Sequence, residues 1–206
     1  MRIFLALGLI AGLGAFAATA QAQAPKKIAI STIVEVPALV ETKQGVLLAL
    51  ADRGFIEGKT LTVDYQNANG NMPTQQQIAK KFVGDGVAAI VAISTPTAQA
   101  MLTATKDIPI VFASVTDPVK GRLIKDYGKS GINVAGVSDA APLEAQVKLF
   151  RELVPNLKKL GFVYNPGLDN AVSTLENLRK IAGPLGVDIV ESPAPTTNEV
   201  IPARRS

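Results

Sequence analysis

Four short loops carry polar side chains of the kinds that hold a small charged molecule. Hydroxyl groups and the first N–H groups of a helix bind carboxylates, and acidic side chains bind ammonium groups. Three of the loops pair a polar residue with a following proline, which fixes the direction of the chain. The loops span residues 33–37, 94–97, 115–118 and 164–167, and their candidate ligand-binding residues are Glu35, Ser94, Thr95, Thr97, Thr116, Asp117 and Asn165.

Each of these positions also has an ordinary structural interpretation. Thr95 suits the N-cap of a helix, whereas Asp117-Pro118 and Asn165-Pro166-Gly167 are common turn sequences. Glu35 could simply be solvated, and the neighbouring Tyr164 could stack on an aromatic ligand or belong to the core. Residue type alone leaves both interpretations open.

Two residue types that often take part in catalysis and metal binding are absent from the sequence, which restricts the reactions that the protein could catalyse. The chain has no cysteine and no histidine, which removes disulfides, thiol nucleophiles and histidine bases. A Ser-His-Asp hydrolase and a zinc enzyme are therefore not expected, and no glycine-rich phosphate motif follows any predicted strand. We predict no catalytic residue, no metal and no cofactor. The formal net charge is +4, and the basic residues are spread along the chain rather than clustered, so nucleic-acid binding is not indicated.

The polar loops need a scaffold, and the sequence predicts an alternation of strands and helices. Residues 88–93 form a short uncharged run that suits a strand buried on both faces of a parallel sheet. Thr95 is then expected as the N-cap and Pro96 as the first helical residue. Further strands are predicted at 28–33, 61–65, 108–113, 134–137 and 187–191, with helices beginning at Pro37, Pro73 and Pro142. Ligands of open α/β sheets bind at the carboxyl ends of the strands, where these loops should meet.

The first 22 residues have the composition of a secretory signal peptide. Arg2 precedes an apolar run from Ile3 to Ala18, and Ala20-Gln21-Ala22 is a small-x-small cleavage site. The run is shorter than the roughly 20 residues of a membrane span, although an uncleaved anchor helix is the alternative. We expect cleavage after Ala22 and a protein free in the periplasm.

A weak internal repeat divides the rest of the chain. Lys26-Lys27-Ile28 opens a strand, loop and helix that end at Gly54, and Lys158-Lys159-Leu160 opens a similar unit that ends at Gly186. We therefore predict a first α/β lobe over residues 23–140 and a partial second lobe over residues 141–206.

Taken together, the motifs resemble those of a known protein family. The chain is similar to the ABC transporter substrate-binding proteins of the tryptophan/tyrosine-type uptake family over about residues 26–200. The residues that carry the resemblance lie at 34–39, 57–59, 64–68, 92–100, 107–112, 115–118 and 164–167.

The resemblance implies a bilobal type I periplasmic binding fold with parallel sheets flanked by helices. It also implies an amino-acid ligand, with aromatic ones favoured, and an ABC permease in the membrane as partner; a monomer is expected. The 94–97 junction and Thr116-Asp117 would be contacts of the first lobe, and Asn165 of the second. Val36 departs from the family, since many relatives carry histidine before the proline.

Members of the family continue for much of another lobe, so we expect a C-terminally truncated chain that binds an amino acid poorly or not at all. Three alternatives are considered. One is a fragment without function, and the second is a small flavodoxin-like enzyme that uses the same crevice. The third is a sugar-responsive transcription regulator, which would need a DNA-binding helix pair where the signal peptide lies.

Overall fold

The computed structural model of the chain describes residues 24–203. The predicted signal peptide and its cleavage after Ala22 lie outside the described residues. Across residues 24–203, none of the helices combines the length and the apolar character that crossing a bilayer requires.

The first sheet has five parallel strands in the order β2-β1-β3-β4-β5. At its centre, Ile30 pairs with Tyr65 on one side and with Val91 on the other. The mixed α/β architecture with a parallel sheet is confirmed. The strands are β1 (Lys26–Thr32), β2 (Leu61–Asn67), β3 (Ala89–Ile93), β4 (Ile110–Val115) and β5 (Val134–Ser138), and the helices between them are α1 (Pro37–Ala51), α2 (Met72–Gly84) and α3 (Thr95–Ala104).

Helices cover both faces of this sheet, which explains the uncharged sequence of β3. On one face, α2 and α3 bury Phe82 and Met101 against Ile90. On the other face, α1 packs its predicted apolar residues, including Leu39 and Leu47, against a smaller buried cluster. A strand that is covered on both faces is stabilised by apolar residues at every position, so it lacks the alternation of apolar and polar residues seen in half-buried strands.

Several strand boundaries differ from the prediction by one or two residues, and hydrogen bonds explain one of them. β4 begins at Ile110 rather than at Ile108, because the hydroxyl of Thr105 accepts the N–H groups of Asp107 and Ile108 in a turn, at 3.2 Å each. β2 extends past Tyr65 to Asn67, which pairs with Thr32.

The second sheet consists of two parallel strands, with Tyr164 at the end of one paired to Pro193 at the end of the other. The repeat is visible here, since a helix again connects the strands. Gly186 adopts the left-handed conformation, with φ 70°, and ends the 3-10 turn Gly183–Leu185 that follows this helix. The elements are α4 (Leu143–Leu153), β6 (Lys159–Tyr164), α5 (Asp169–Ala182) and β7 (Asp188–Pro193), followed by a 3-10 turn (Thr197–Glu199) and the short α6 (Val200–Ala203). The predicted lobe boundary at residue 140 stays a prediction.

The helix α4 leaves part of its apolar side exposed. Val147 is fully buried, but Phe150 and Val154 remain 45% and 49% exposed. Only some of these apolar side chains therefore have a packing partner among the described residues.

One close contact between β4 and β5 generates a stability prediction. A Cβ atom on Gly136 would lie 2.1 Å from the carbonyl oxygen of Phe112 and 2.5 Å from its ring. We expect Gly136→Ala to lower the free energy of unfolding by about 1–3 kcal/mol, because the two strands must separate to admit the methyl group. Urea unfolding of the purified chain measures this change.

Gly45 in α1 is the matched control, because a Cβ there meets nothing within 4 Å. Gly45→Ala should raise stability by roughly 0.5–1 kcal/mol through the helix preference of alanine. Equal stability of the two variants would contradict the close-approach explanation.

Candidate functional site

A cleft of about 460 Å³ lies where the carboxyl ends of β1, β3 and β4 meet the loop after β6. All four polar loops of the sequence contribute to it, and its volume is in the range of small-molecule sites. Its polar wall consists of Ser94, Thr95, Ser114, Thr116, Asn165 and Asn170, whereas the rest of the lining is glycine and apolar side chains that include Leu39, Met72 and Leu168.

Four helices begin at this cleft. The lining includes residues at the first turns of α1, α2, α3 and α5. Helix N-termini present unpaired N–H groups and a partial positive charge. No charged side chain is among the residues that line the cleft. The field inside the cleft therefore comes mainly from backbone dipoles and favours an anionic group such as a carboxylate.

The turn from β3 into α3 differs from the prediction. Ser94, not Thr95, is the N-cap residue, and Thr95 and Pro96 are the first two residues of the helix. The physical reason is that Ser94 belongs to both elements: its N–H donates to the carbonyl of Ala113 in the neighbouring strand at 2.9 Å, and its carbonyl already accepts the N–H of Ala98 at 3.0 Å, so the helix begins one residue earlier than expected. The predicted N-cap assignment of Thr95 is wrong.

This correction changes the role of the Thr95 hydroxyl. Thr95 is 2% exposed, and its Oγ1 atom has no hydrogen-bond partner in the described part of the protein. A buried hydroxyl without a partner costs free energy, which a ligand can recover. Thr95 is thus a stronger ligand-binding candidate than a capping residue would be.

A network of buried polar side chains lies behind Ser94. Its hydroxyl lies 3.0 Å from that of Thr97, which is fully buried and does not line the cleft. Gln75 of α2 lies behind Thr97 at 3.5 Å and donates to the hydroxyl of Ser31 at 3.0 Å. Thr97 therefore holds Ser94 from behind the wall of the cleft.

Two further predicted residues, Glu35 and Asp117, do not line the cleft either. The carboxylate of Glu35 accepts the hydroxyl of Tyr65 at 2.8 Å, and burial of that phenol, together with Glu35 itself, raises the pKa of Tyr65. Asp117 accepts the N–H groups of Val119 and Lys120 at 3.1 and 2.9 Å. Ligand contact by either acid stays a prediction. It would require the acid to give up the hydrogen bonds just described in favour of the ligand.

Asn165 and Thr116 do reach the cleft, and Asn170 joins them. Asn165 is held by its own turn, since its Oδ1 accepts the N–H of Gly167 at 2.8 Å and its Nδ2 donates to the carbonyl of Pro195 at 2.9 Å. Asn170 is different, because its buried Oδ1 has no partner in the described part of the protein.

Asn170 was missing from the sequence-based candidates. The signal for it was the position of an amide side chain in the first turn of a helix that follows the predicted Asn-Pro-Gly loop. Tyr164 does not line this cleft; its hydroxyl donates to Glu191 at 2.7 Å.

The fold and cleft have the architecture of a type I periplasmic binding protein. The family profile for ABC transporter substrate binding protein matches residues 27–206. The chain belongs to this family of ABC transporter substrate-binding proteins.

Three proteins are similar to this chain in sequence or in structure. A tyrosine-binding protein from Clostridioides difficile (strain R20291) is 43% identical over 175 residues, which are 85% of this chain and 51% of that protein. A Streptococcus ABC domain in complex with L-Trp superposes with a TM-score of 0.84 at 33% identity, over 87% of this chain and 61% of the other. A ligand-free, open substrate-binding protein from Clostridium difficile superposes at 0.64 with 42% identity, over 85% and 59%. The chain thus spans about half to three fifths of the length of these relatives.

The strained backbone at the head of the cleft generates a second prediction. Ser94 has φ 94° and ψ 156°, a conformation that glycine adopts and other residues rarely do. We expect Ser94→Gly to be more stable than Ser94→Ala by about 1–2 kcal/mol, because both lose the hydroxyl and only glycine relieves the strain. Thermal unfolding of the two variants measures the difference. The opposite order, which is usual for these two residues, would show that Ser94 is unstrained.

Proposed function

We propose that the protein is the substrate-binding component of an ABC importer and that its cleft binds an amino acid, with aromatic ones favoured. One observation carries the proposal. The hydroxyl of Thr95 on α3 and the amide oxygen of Asn170 on α5 are both buried without partners, and both residues line the same neutral cleft. A ligand that offers an acceptor to one and a donor to the other satisfies both.

A free amino acid has these groups. Its carboxylate accepts the hydroxyl of Thr95 and the first N–H groups of α3, where the helix dipole is favourable. Its ammonium group donates to the amide oxygen of Asn170, with further oxygen atoms supplied by Thr116 and Asn165. Neutral oxygens thus replace the acidic side chains that the sequence suggested for the ammonium group.

The apolar part of the lining suits the side chain of the ligand. Leu39 and Met72 lie in the first turns of α1 and α2, and Leu168 is the N-cap residue of α5. An aromatic ring gains free energy when it contacts such apolar surfaces. The relatives support this choice, since one is complexed with L-Trp and another is a tyrosine-binding protein.

The biological setting is part of the same proposal. The protein acts in the periplasm after signal-peptide cleavage, as a monomer, and delivers the ligand to a membrane permease without chemical change. Ser94, Thr95, Thr116 and Asn165 are its ligand contacts among the predicted residues, Asn170 joins them, and Thr97 supports Ser94. The lobes are residues 23–140 and 141–206. We expect this 206-residue chain to bind weakly, because a two-stranded sheet is a marginal platform for Asn165 and Asn170.

The substitution Thr95→Val tests the carboxylate contact. Valine keeps the shape of threonine and removes the hydroxyl, so we expect roughly tenfold weaker binding of L-tryptophan, a loss of about 1.4 kcal/mol. Stability should rise by about 1 kcal/mol, since a buried polar atom without a partner disappears. The chain contains no tryptophan, so the fluorescence of bound L-tryptophan reports binding without background. Ligand-detected NMR covers the weak range.

Two comparisons sharpen this test. Tryptamine lacks the carboxylate, so the parent chain should prefer L-tryptophan to it, and Thr95→Val should reduce that preference by about the same tenfold factor. Thr62→Val changes an exposed threonine of β2 and should leave binding unaltered. If Thr95→Val binds L-tryptophan with the affinity of the parent chain, the contact assigned to Thr95 is contradicted. If the parent chain shows no saturable binding of any amino acid, the proposed ligand class is contradicted.

A further inference from the structure

One face of α5 docks on the segment 117–122 through polar contacts. The hydroxyl of Ser173 donates to Asp117 at 3.3 Å, and Lys120 donates to Glu176 at 2.6 Å. At the start of the helix, Asp169 contacts Arg122. The α5 residues in these contacts are spaced by three or four positions, so they lie on one face of the helix.

Asp169 makes the best-defined of these contacts. Its Oδ2 atom accepts the amide N–H of Gln99 at 2.8 Å and the guanidinium N–H of Arg122 at 2.9 Å. Two donors on one oxygen fix the carboxylate in position, and an acid in the first turn also suits the helix dipole. Arg122 and then Gln99 hold the pKa of the Asp169 carboxyl below its ordinary value.

Gln99 connects this carboxylate to the wall of the cleft. The same amide group donates to the carbonyl of Gly121 at 3.0 Å. Gly121 is packed so closely on Thr95 that an added Cβ would lie 3.1 Å from the threonine methyl group. The methyl group of Thr95 is therefore held against segment 117–122.

On the other side, Asp169 directly precedes Asn170 in α5. The N-cap residue of this helix, Leu168, has no side chain that could cap it, and Asp169 is the charged anchor of its first turn. The position of Asn170 relative to Thr95 thus depends on the contacts of its neighbour.

We infer that Asp169 is a positioning residue: with Gln99 and Arg122 it forms a latch that holds α5 against segment 117–122 and so places Asn170 and Thr95 across the cleft from each other. The inference rests on the proposed function in one respect, which is that these two residues are the ligand contacts. The latch itself is formed between groups of this chain and needs no ligand to close.

Distance measurements between two spin labels test the latch without any ligand. The chain has no cysteine, so Gln77→Cys on α2 and Asp188→Cys on β7 give a single labelled pair at exposed positions. Double electron–electron resonance should give one narrow distance population for the parent chain. We expect Asp169→Ala and Arg122→Gln to add a second, longer population at the expense of the first.

Two further variants decide whether the ion pair is responsible. The double variant Asp169→Arg with Arg122→Asp restores opposite charges and should recover part of the narrow population, because the Gln99 contact and the favourable charge at the helix N-terminus are not restored. Glu144→Ala breaks an exposed ion pair with Lys148 on α4 and should change nothing. Because the side chain of Arg122 is 81% exposed, Arg122→Gln tests the latch even if Asp169→Ala unfolds the chain.

The inference is overturned if Arg122→Gln keeps the parent distances, or if the charge-swapped chain remains as broad as the single variants. Thr95→Val should leave the distances unchanged, since it removes a ligand contact and no latch contact. The latch and the proposed ligand can therefore fail separately.

Discussion

The turn at Ser94 is the constraint on which the site depends. The backbone there is held between a hydrogen bond to the neighbouring strand and the first turn of α3, in a conformation that serine rarely adopts. This strain is maintained by the surrounding structure, because the hydroxyl of Thr97 and the buried amide of Gln75 lie directly behind it. The sharp turn brings Thr95 into the wall of the cleft with its hydroxyl unpaired. If Thr95 had been the N-cap residue, its hydroxyl would have accepted an N–H group of the first turn of α3.

The site works with backbone dipoles and neutral side chains. The acids that the sequence suggested for it, Glu35 and Asp117, are engaged by Tyr65 and by backbone N–H groups. Fixed dipoles need no counter-ion and do not reorganise when a ligand enters, so a neutral site can bind a zwitterion with little structural change. The charged residues are used instead where α5 meets segment 117–122, which separates the task of recognition from the task of holding the two sheets together.

The fold was largely predictable from the sequence, and the details of the site were not. Buried parallel strands leave uncharged runs such as residues 89–93, and prolines mark the starts of several helices, so the order of elements and the meeting of four loops could be inferred. The exchange of roles between Ser94 and Thr95 depends on a hydrogen bond to a strand about twenty residues away. Asn170 was missed because its importance comes from burial and from the lack of a partner, which no local pattern reveals. A turn-forming acid and a ligand-binding acid look alike in sequence, so ligand contact by Asp117 stays a prediction.

The neutrality of the cleft has a consequence for the conditions under which the protein works. The sequence contains no histidine, and none of the groups that line the cleft changes its charge between about pH 5 and pH 8. A free amino acid is a zwitterion across the same range. For the proposed amino-acid ligand, binding is therefore expected to be insensitive to pH over this range.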